Sequence, residues 1–363
     1  MSSNASQGGR CKTMGCPQAS VIVPVYNAAD TLKNSVSSLL RQHLSDLEII
    51  LVDDASSDST ASVMQSLAGG DARIKTIFKA VNAGVHEARR SGLEAATGQW
   101  IGFMDADDHV EPEMFQRMLS AAKTNDSDIV ICSVDRVAPS GERLGMKFRF
   151  REEQCVTDHV YDRFCRHEFG TGSLWNKLYR RELIMEHGLS SFRWRQDINE
   201  DTLVNIGCFM SVRKVTTLPA ILYHYVARQN SASMTDDKAR ALTDMLRAYG
   251  LAVELYSHHG PQVMKGIDIL YRTQLSYPCY YLEDPSALYE HGHRLSEVMA
   301  VLSARHPAGV GVLVSYLGRP KQACPTSLAE QWSGWCHSTI MLASQLKSAL
   351  SRRLNHAYRR IGY

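Results

Sequence analysis

Apolar runs and amphipathic stretches alternate along the first 135 residues of the chain. Ser20 to Val25 is a nearly unbroken Val/Ile run, which suits a strand buried on both faces, and Pro24 and Asn27 close it in a turn. Asp30 to Arg41 then sets Leu32, Val36, Leu39 and Leu40 at helical spacing behind two capping candidates, Asp30 and Thr31. A second apolar run, Leu47 to Val52, ends in Asp53 and Asp54. Strand, helix and strand within about thirty residues make a βαβ unit with a right-handed crossover. The pattern continues with a helix over Ser59 to Leu67, a short strand over Ile74 to Phe78, and a helix from Val85 to Ala96 stopped by Gly98. A strand over Trp100 to Met104, a helix opening at Pro112 and a strand over Ile129 to Val134 follow. This alternation predicts an α/β fold with one mostly parallel sheet covered by helices on both faces.

Periodicity weakens from Pro139 to Gly170, where Arg149, Arg151, Glu152 and Glu153 predict a surface excursion. Leu174 to Glu186 has helical spacing, which assigns Trp175, Leu178 and Tyr179 to the core and Lys177 and Arg180 to a solvated face. Thr202 to Met210 predicts another helix, and Val215 to Tyr225 a strand interrupted by Pro219. From about Asp236 the sequence is helix-forming throughout. The expected organisation is a disordered lead over residues 1–18, an α/β domain over 19–235 and a mainly helical region over 236–363. The last stretch, Trp332 to Tyr363, reads as a basic amphipathic helix. Such a helix suits an anionic membrane surface, and equally suits packing against the α/β domain or a second subunit of a homo-oligomer.

A length of 363 residues allows about two domains, each with its own core. The net charge of +2 gives no global attraction to nucleic acid, so no nucleic-acid partner is expected. No apolar run reaches the roughly 18–20 residues of a spanning helix. The N-terminus lacks the apolar middle of a secretion signal. Nine cysteines, an odd number, do not make a disulfide framework, and Cys11 and Cys16 lack the second pair that zinc requires. A reducing cytoplasm is the simplest compartment.

The chemistry gathers at Ile101 to Asp108, where an apolar strand ends in Asp105, Asp107 and Asp108. Open α/β sheets bind ligands at the carboxyl ends of their strands. Carboxylates two residues apart there can hold one hard cation, Mg²⁺ or Mn²⁺, against the phosphates of a substrate. Alone, such a pair equally describes a solvated turn. Two further acidic clusters change the picture: Asp53 with Asp54, and Glu200 with Asp201. The first two clusters share one sheet edge, and Pro24, Tyr26 and Asn27 add an aromatic face to it. A base stacked on Tyr26, a ring N–H donated to Asp54 and a metal at Asp107 facing a diphosphate describe a nucleotide-diphosphate site.

The segments VIVPVYNAADTL (21–32), EIILVDDASSDST (48–60), NAGVHEARRSGLEAATGQWIGFMDADD (82–108), WNKLY (175–179) and NEDTL (199–203) resemble family 2 glycosyltransferases of GT-A fold. Within that family they look like bacterial enzymes of capsule, exopolysaccharide, lipopolysaccharide or teichoic-acid synthesis. The resemblance covers about residues 19–234. It implies that Tyr26, beside Pro24, stacks on uracil and that Asp54, next to Asp53, hydrogen-bonds the base. It places Asp105 near the ribose and sugar, Asp107 on the metal, and Asp201, paired with Glu200, as the general base. Arg89 falls in the family's A-R-N-x-G pattern, with Arg90 in place of the Asn. His224 and Arg228 resemble the late segment that folds a loop over the diphosphate.

The implied reaction is an inverting, metal-dependent transfer from a nucleotide-sugar donor, UDP-linked, to a hydroxyl of a glycan or lipid-linked glycan acceptor. It would proceed in the cytoplasm or at the inner face of the membrane. Glu200 beside Asp201 should raise the pKa of the pair, which favours proton uptake near neutral pH. Two other readings compete. A nucleotidyltransferase would carry a glycine-rich basic loop after its first strand, which VPVYNAAD lacks. A nucleotide-binding scaffold without turnover would have no need of both Asp107 and Asp201.

Overall fold

A computed structural model of the protein describes residues 16–228, 237–277, 282 and 285–317. The lead before residue 16 and the basic tail expected over 332–363 lie outside the described residues.

The central strand is β1 (Ala19–Val25), buried at every position. It pairs in parallel with β2 (Leu47–Asp53) on one side and β4 (Trp100–Phe103) on the other, and β3 (Ile74–Phe78) extends the sheet beyond β2. The crossover helices are α1 (Leu32–Leu40), α2 (Thr60–Gly70) and α3 (Val85–Ala95), with α4 (Met114–Asn125) after the acid loop. Gly92 lets α3 lie close on β1, because a Cβ there would collide with the side chain of Ile22. Two local expectations are corrected. The Thr31 hydroxyl does not cap α1; it donates to the Ala106 carbonyl at 2.9 Å and so braces the acid loop. Gly98 does not terminate α3, whose chain is already extended at Ala96; a Cβ at Gly98 would lie 2.5 Å from the Ser20 nitrogen, so the residue permits close passage over β1.

The second half departs further from the parallel pattern. Its elements are β5 (His109–Val110), β6 (Ile129–Val137), β7 (Arg143–Phe148), β8 (Gln154–Val156), α5 (Val160–Cys165), β9 (Lys177–Arg180), α6 (Arg181–Gly188), α7 (Glu200–Ser211) and β10 (Val215–Val226). The main sheet order is β3-β2-β1-β4-β9-β6-β10-β5. Within 139–170, Arg149, Arg151, Glu152 and Glu153 are exposed as expected, but the segments on either side of them join the sheet: β7 pairs antiparallel with β6 and β8 antiparallel with β10.

The helix expected over 174–186 begins only at Arg181. Residues 177–180 form β9, inserted antiparallel between β4 and β6. Leu178 enters the core on one face of the sheet and Tyr179 the core on the other, which is strand alternation. Both faces are apolar, so periodicity could not separate this short strand from a helix. Lys177, expected in solvent, is fully buried, and Arg180 stacks its guanidinium 5.1 Å from the Trp100 ring while pairing with Asp128 at 3.1 Å. Pro219 sits where the register of β10 against β6 shifts, which is how a sheet accommodates a residue without an N–H.

Beyond residue 236 the described chain is helical: α8 (Lys238–Tyr256), α9 (Pro261–Leu275), α10 (Gly292–Arg305) and α11 (Pro307–Leu317). Asp237 caps α8 by accepting from the Arg240 N–H at 2.9 Å. Almost every side chain of α8 is buried. One hydrophobic cluster joins Ile22 and Ile101 under the sheet to Leu203 of α7, Leu246 of α8 and Leu302 of α10. Each such Leu or Ile contributes roughly 1.5–3 kcal/mol when fully buried. Among the described residues no helix is long and apolar enough to cross a membrane.

Candidate active site

Strand register assembles the site. Val25 lies opposite Asp53, and Ile22 opposite Phe103, so the carboxyl ends of β1, β2 and β4 carry Tyr26, Asp53–Asp54 and Asp105 onto one edge. Pro24 is buried one residue before the end of β1, whereas Tyr26 is 53% exposed, a large aromatic face left open. Asn27 takes a left-handed conformation (φ 47°) and ties the two loops together. Its side-chain oxygen accepts from the Ser57 N–H at 2.8 Å and its own N–H donates to the Ser56 hydroxyl at 2.9 Å.

Asp53 accepts from the Ser56 N–H and hydroxyl at 2.9 and 2.6 Å. Asp54 accepts from the N–H groups of Ala83 (3.1 Å) and Gly84 (2.7 Å) and pairs with Lys79 at 3.0 Å. Lys79 and Ala83 share Oδ1, so Oδ2 retains a lone pair for a base N–H.

The three acids after β4 separate into different roles. Asp108 is buried: its Oδ2 accepts from the Tyr223 hydroxyl at 2.7 Å and its Oδ1 from the Val226 N–H at 2.8 Å. The same hydroxyl accepts from the Asp105 N–H at 3.2 Å, so Asp108 and Tyr223 prop the loop against β10. Burial pushes the Asp108 carboxyl well above the usual carboxylate range. Asp105 and Asp107 stay half-open to the cleft. Burial, followed by the charge of Asp105, also raises Asp107. Arg228 offers the nearest compensation, with its Nε 3.6 Å from the Asp107 carboxylate. A cavity of about 400 Å³ opens beside this pair, lined on its far wall by Thr31, Asn34 and Ser35.

Arg89 joins the two sides of the cleft. From α3 its Nη1 donates to Glu200 at 2.6 Å and its Nη2 to Asp105 at 3.2 Å, and the side chain is buried. Arg90 instead pairs with Glu87 at 2.9 Å on the outer face of the helix, so this replacement of the family's Asn turns away from the cleft. Glu200 and Asp201 open α7, where the exposed N–H ends of a helix favour negative charge. Burial, followed by Asp201, pushes the Glu200 carboxyl up to about 8. Asp201 is half-buried; burial raises it too, opposed by Arg89, by the Thr202 N–H at 2.8 Å and by Lys177.

The buried Lys177 ammonium donates to the carbonyls of Thr171 (3.2 Å) and Ser173 and to the Asn176 side chain (3.0 Å), and burial lowers it to about 8. It fastens the loop before β9. Asn205 of α7 fastens the same loop, donating to the Gly172 carbonyl at 2.6 Å.

His224 does not face the cleft as expected. Both its ring nitrogens are engaged, Nδ1 with Asp135 at 2.7 Å and Nε2 with Glu111 at 2.9 Å, and its ring stacks on His109. That arrangement leaves no nitrogen for a diphosphate. The structural roles of Asp108, Tyr223 and Lys177 escaped the sequence, which cannot say which acid of a run turns inward. Lys147, on β7, escaped it as well; nothing distinguishes it from the other cations of 143–151.

Among the described residues no three metal-ligating side chains cluster. A hard divalent cation that borrows substrate phosphates needs only one or two carboxylates. Asp107, half-open, disfavoured as a bare anion by its surroundings and met at 3.6 Å by an arginine, fits that requirement, with Asp105 beside it.

Sequence comparison identifies the family. The profile of Glycosyl transferase family 2 matches residues 20–188. The uncharacterized glycosyltransferase EpsJ of Bacillus subtilis (strain 168) is 35% identical over 251 residues, 67% of this chain and 71% of EpsJ. The chain belongs to glycosyl transferase family 2, and it is a glycosyltransferase. Among solved structures, S. aureus TarS 1-349 superposes with a TM-score of 0.64 at 17% identity, over 95% of this chain and 92% of that one. The same fragment with UDP-GlcNAc bound gives 0.59 at 19% identity, over 83% and 90% of the two chains. The mannosyltransferase PcManGT of Pyrobaculum calidifontis, in complex with GDP-Man and Mn²⁺, gives 0.50 at 18% identity, over 83% and 79%. At these identities the structural likeness is one of fold.

Proposed function

We propose that this enzyme transfers a sugar, with inversion, from a UDP-sugar to a hydroxyl of a growing bacterial surface polysaccharide, free or lipid-linked. Catalysis takes place in the cytoplasm, at the inner face of the membrane where the acceptor is lipid-linked. The observation that carries this reading is Arg89, which ties Asp105 of the donor edge to Glu200 of the acid pair through one buried guanidinium. The UDP-GlcNAc held by TarS and the motif resemblance support a uridine donor.

Tyr26 stacks on the base and Asp54 accepts its N–H through the free lone pair of Oδ2. Asp105 faces the ribose and sugar. Asp201 accepts the proton of the acceptor hydroxyl as that oxygen attacks the anomeric carbon from the face opposite the diphosphate. One displacement inverts the centre, so no second nucleophilic carboxylate is needed. Arg89 and Lys177 favour the ionised form of Asp201, opposing the effect of its burial. When bound at Asp107, Mn²⁺ or Mg²⁺ supplies the charge that the departing diphosphate needs.

Titration calorimetry with UDP, with and without Mn²⁺, tests the donor side. Metal-dependent binding is expected, and binding indifferent to metal would strip Asp107 of its role as the cation's ligand. Thermal protection by UDP-, GDP- and dTDP-sugars then ranks donors, because a ligand of the folded state raises the midpoint by mass action.

A further inference from the structure

Lys147 lies on β7, in a stretch that carries no motif. It is half-buried, with its ammonium 3.4 Å from the centroid of the Tyr225 ring and 5.4 Å from that of Trp175. Trp175 in turn stacks on Tyr223, whose hydroxyl props the acid loop, so the lysine rests on the aromatic layer that supports Asp105 and Asp108. Among the described residues Lys147 forms no hydrogen bond and no ion pair. Ring faces balance its charge without accepting its N–H groups in ordinary hydrogen bonds.

Burial lowers the lysine, and the opposing fields come from Asp108, Asp105 and Asp201. The Trp175–Tyr223 layer beneath this ammonium carries the Asp105 N–H on the Tyr223 hydroxyl, so the lysine lies beside the donor edge, and the charges of Asp105 and Asp201 both act on it. Its partner there can be predicted from charge. Asp105 and the proposed base Asp201 already load this part of the cleft with negative potential, so a further anion would be repelled, whereas a neutral oxygen could accept an N–H at no such cost.

We infer that Lys147 reads the transferred sugar, donating to a hydroxyl or amide carbonyl of a neutral hexose or N-acetylhexosamine and disfavouring a uronic acid. The inference rests on the donor reading proposed above and names the class of sugar for the same cleft. Lys147 is thus a specificity residue, distinct from the nucleotide contacts and from the base.

Calorimetry on the full chain with Mn²⁺ tests it, using UDP, UDP-glucose, UDP-N-acetylglucosamine and UDP-glucuronate on wild type and Lys147→Met. At least one neutral UDP-sugar is expected to bind wild type more tightly than UDP-glucuronate does. Lys147→Met should weaken that neutral ligand about tenfold, the worth of one charge-assisted hydrogen bond, and leave UDP unchanged. Retained UDP affinity also shows that the variant is folded. A purely packing role would lower the melting midpoint without altering the ratio of UDP-sugar to UDP affinity. Equal loss for UDP would move Lys147 to the diphosphate and overturn the inference, as would unchanged affinity for every ligand or a preference of wild type for UDP-glucuronate. A wild-type chain that ignores all four nucleotides overturns the donor reading itself, and the role of Lys147 with it.

Discussion

On the side of the cleft proposed for the nucleotide, Asp53 is held by Ser56, three residues on, and Asp54 by the N–H groups of Ala83 and Gly84 in the next βαβ unit, with Lys79 beside it. On the other side, Glu200 is held by Arg89, 111 positions earlier, and the same arginine and the buried Lys177 favour the ionised form of Asp201 against the effect of its burial. Backbone donors at a strand end come with the fold and stay put when one side chain changes. Buried charges hold one another only while every partner is present, so the base side is the more finely poised and the more easily broken.

The sharpest test of this contrast is Asp201→Asn. Removing the base should reduce transfer by roughly 10²–10⁴-fold with the UDP affinity intact. Parallel loss of UDP affinity would assign Asp201 to the donor instead. Arg89→Met should come next, destabilising the fold by roughly 1–3 kcal/mol in chemical denaturation, because the buried Glu200 carboxyl then loses its hydrogen-bond donor. Adding Glu200→Gln should recover part of that loss, and no recovery would mean that the arginine acts chiefly through Asp105.

Tyr26→Ala probes the other side. UDP affinity should fall by on the order of 1 kcal/mol through lost stacking. Stability should hardly move, since the ring is 53% exposed. The smallest effect concerns pH. Burial raises the Asp201 carboxyl, so it ionises later as pH rises and the acid limb of kcat should lie above the ordinary Asp value of about 4. Lys177 favours the ionised form, and Lys177→Met should push that limb higher. A downward shift would refute the field assigned to this lysine.

The same contrast governs what could be foreseen. The strands from Ala19 to Phe103 and their helices follow from apolar runs and helical spacing, because each unit is local and the crossover has one hand. The acids at their ends were legible for the same reason. After Asp108 the sheet is completed by β9, whose Leu178 and Tyr179 face two different cores and therefore show no alternation of apolar with polar. Lys177 looked solvated because a lysine seldom goes inside, and the Thr171 and Ser173 carbonyls and the Asn176 side chain, folded back over it, explain its burial. His224 shared its motif with Arg228, yet Asp135 and Glu111 claim its ring. Partners brought from distant strands leave no trace in a short motif.

The helix that opens with Glu200 and Asp201 leans on α8. The Tyr256 hydroxyl donates to the Leu203 carbonyl at 2.8 Å, and Gln196, just ahead of the acid pair, donates to the Asp244 carbonyl at 2.7 Å. The part of the chain without a motif is thus the anvil on which the proposed proton acceptor is seated. A chimera that borrowed its helical half from another family member would have to refit that seat, because the contacts made by Tyr256 and Asp244 position the start of α7.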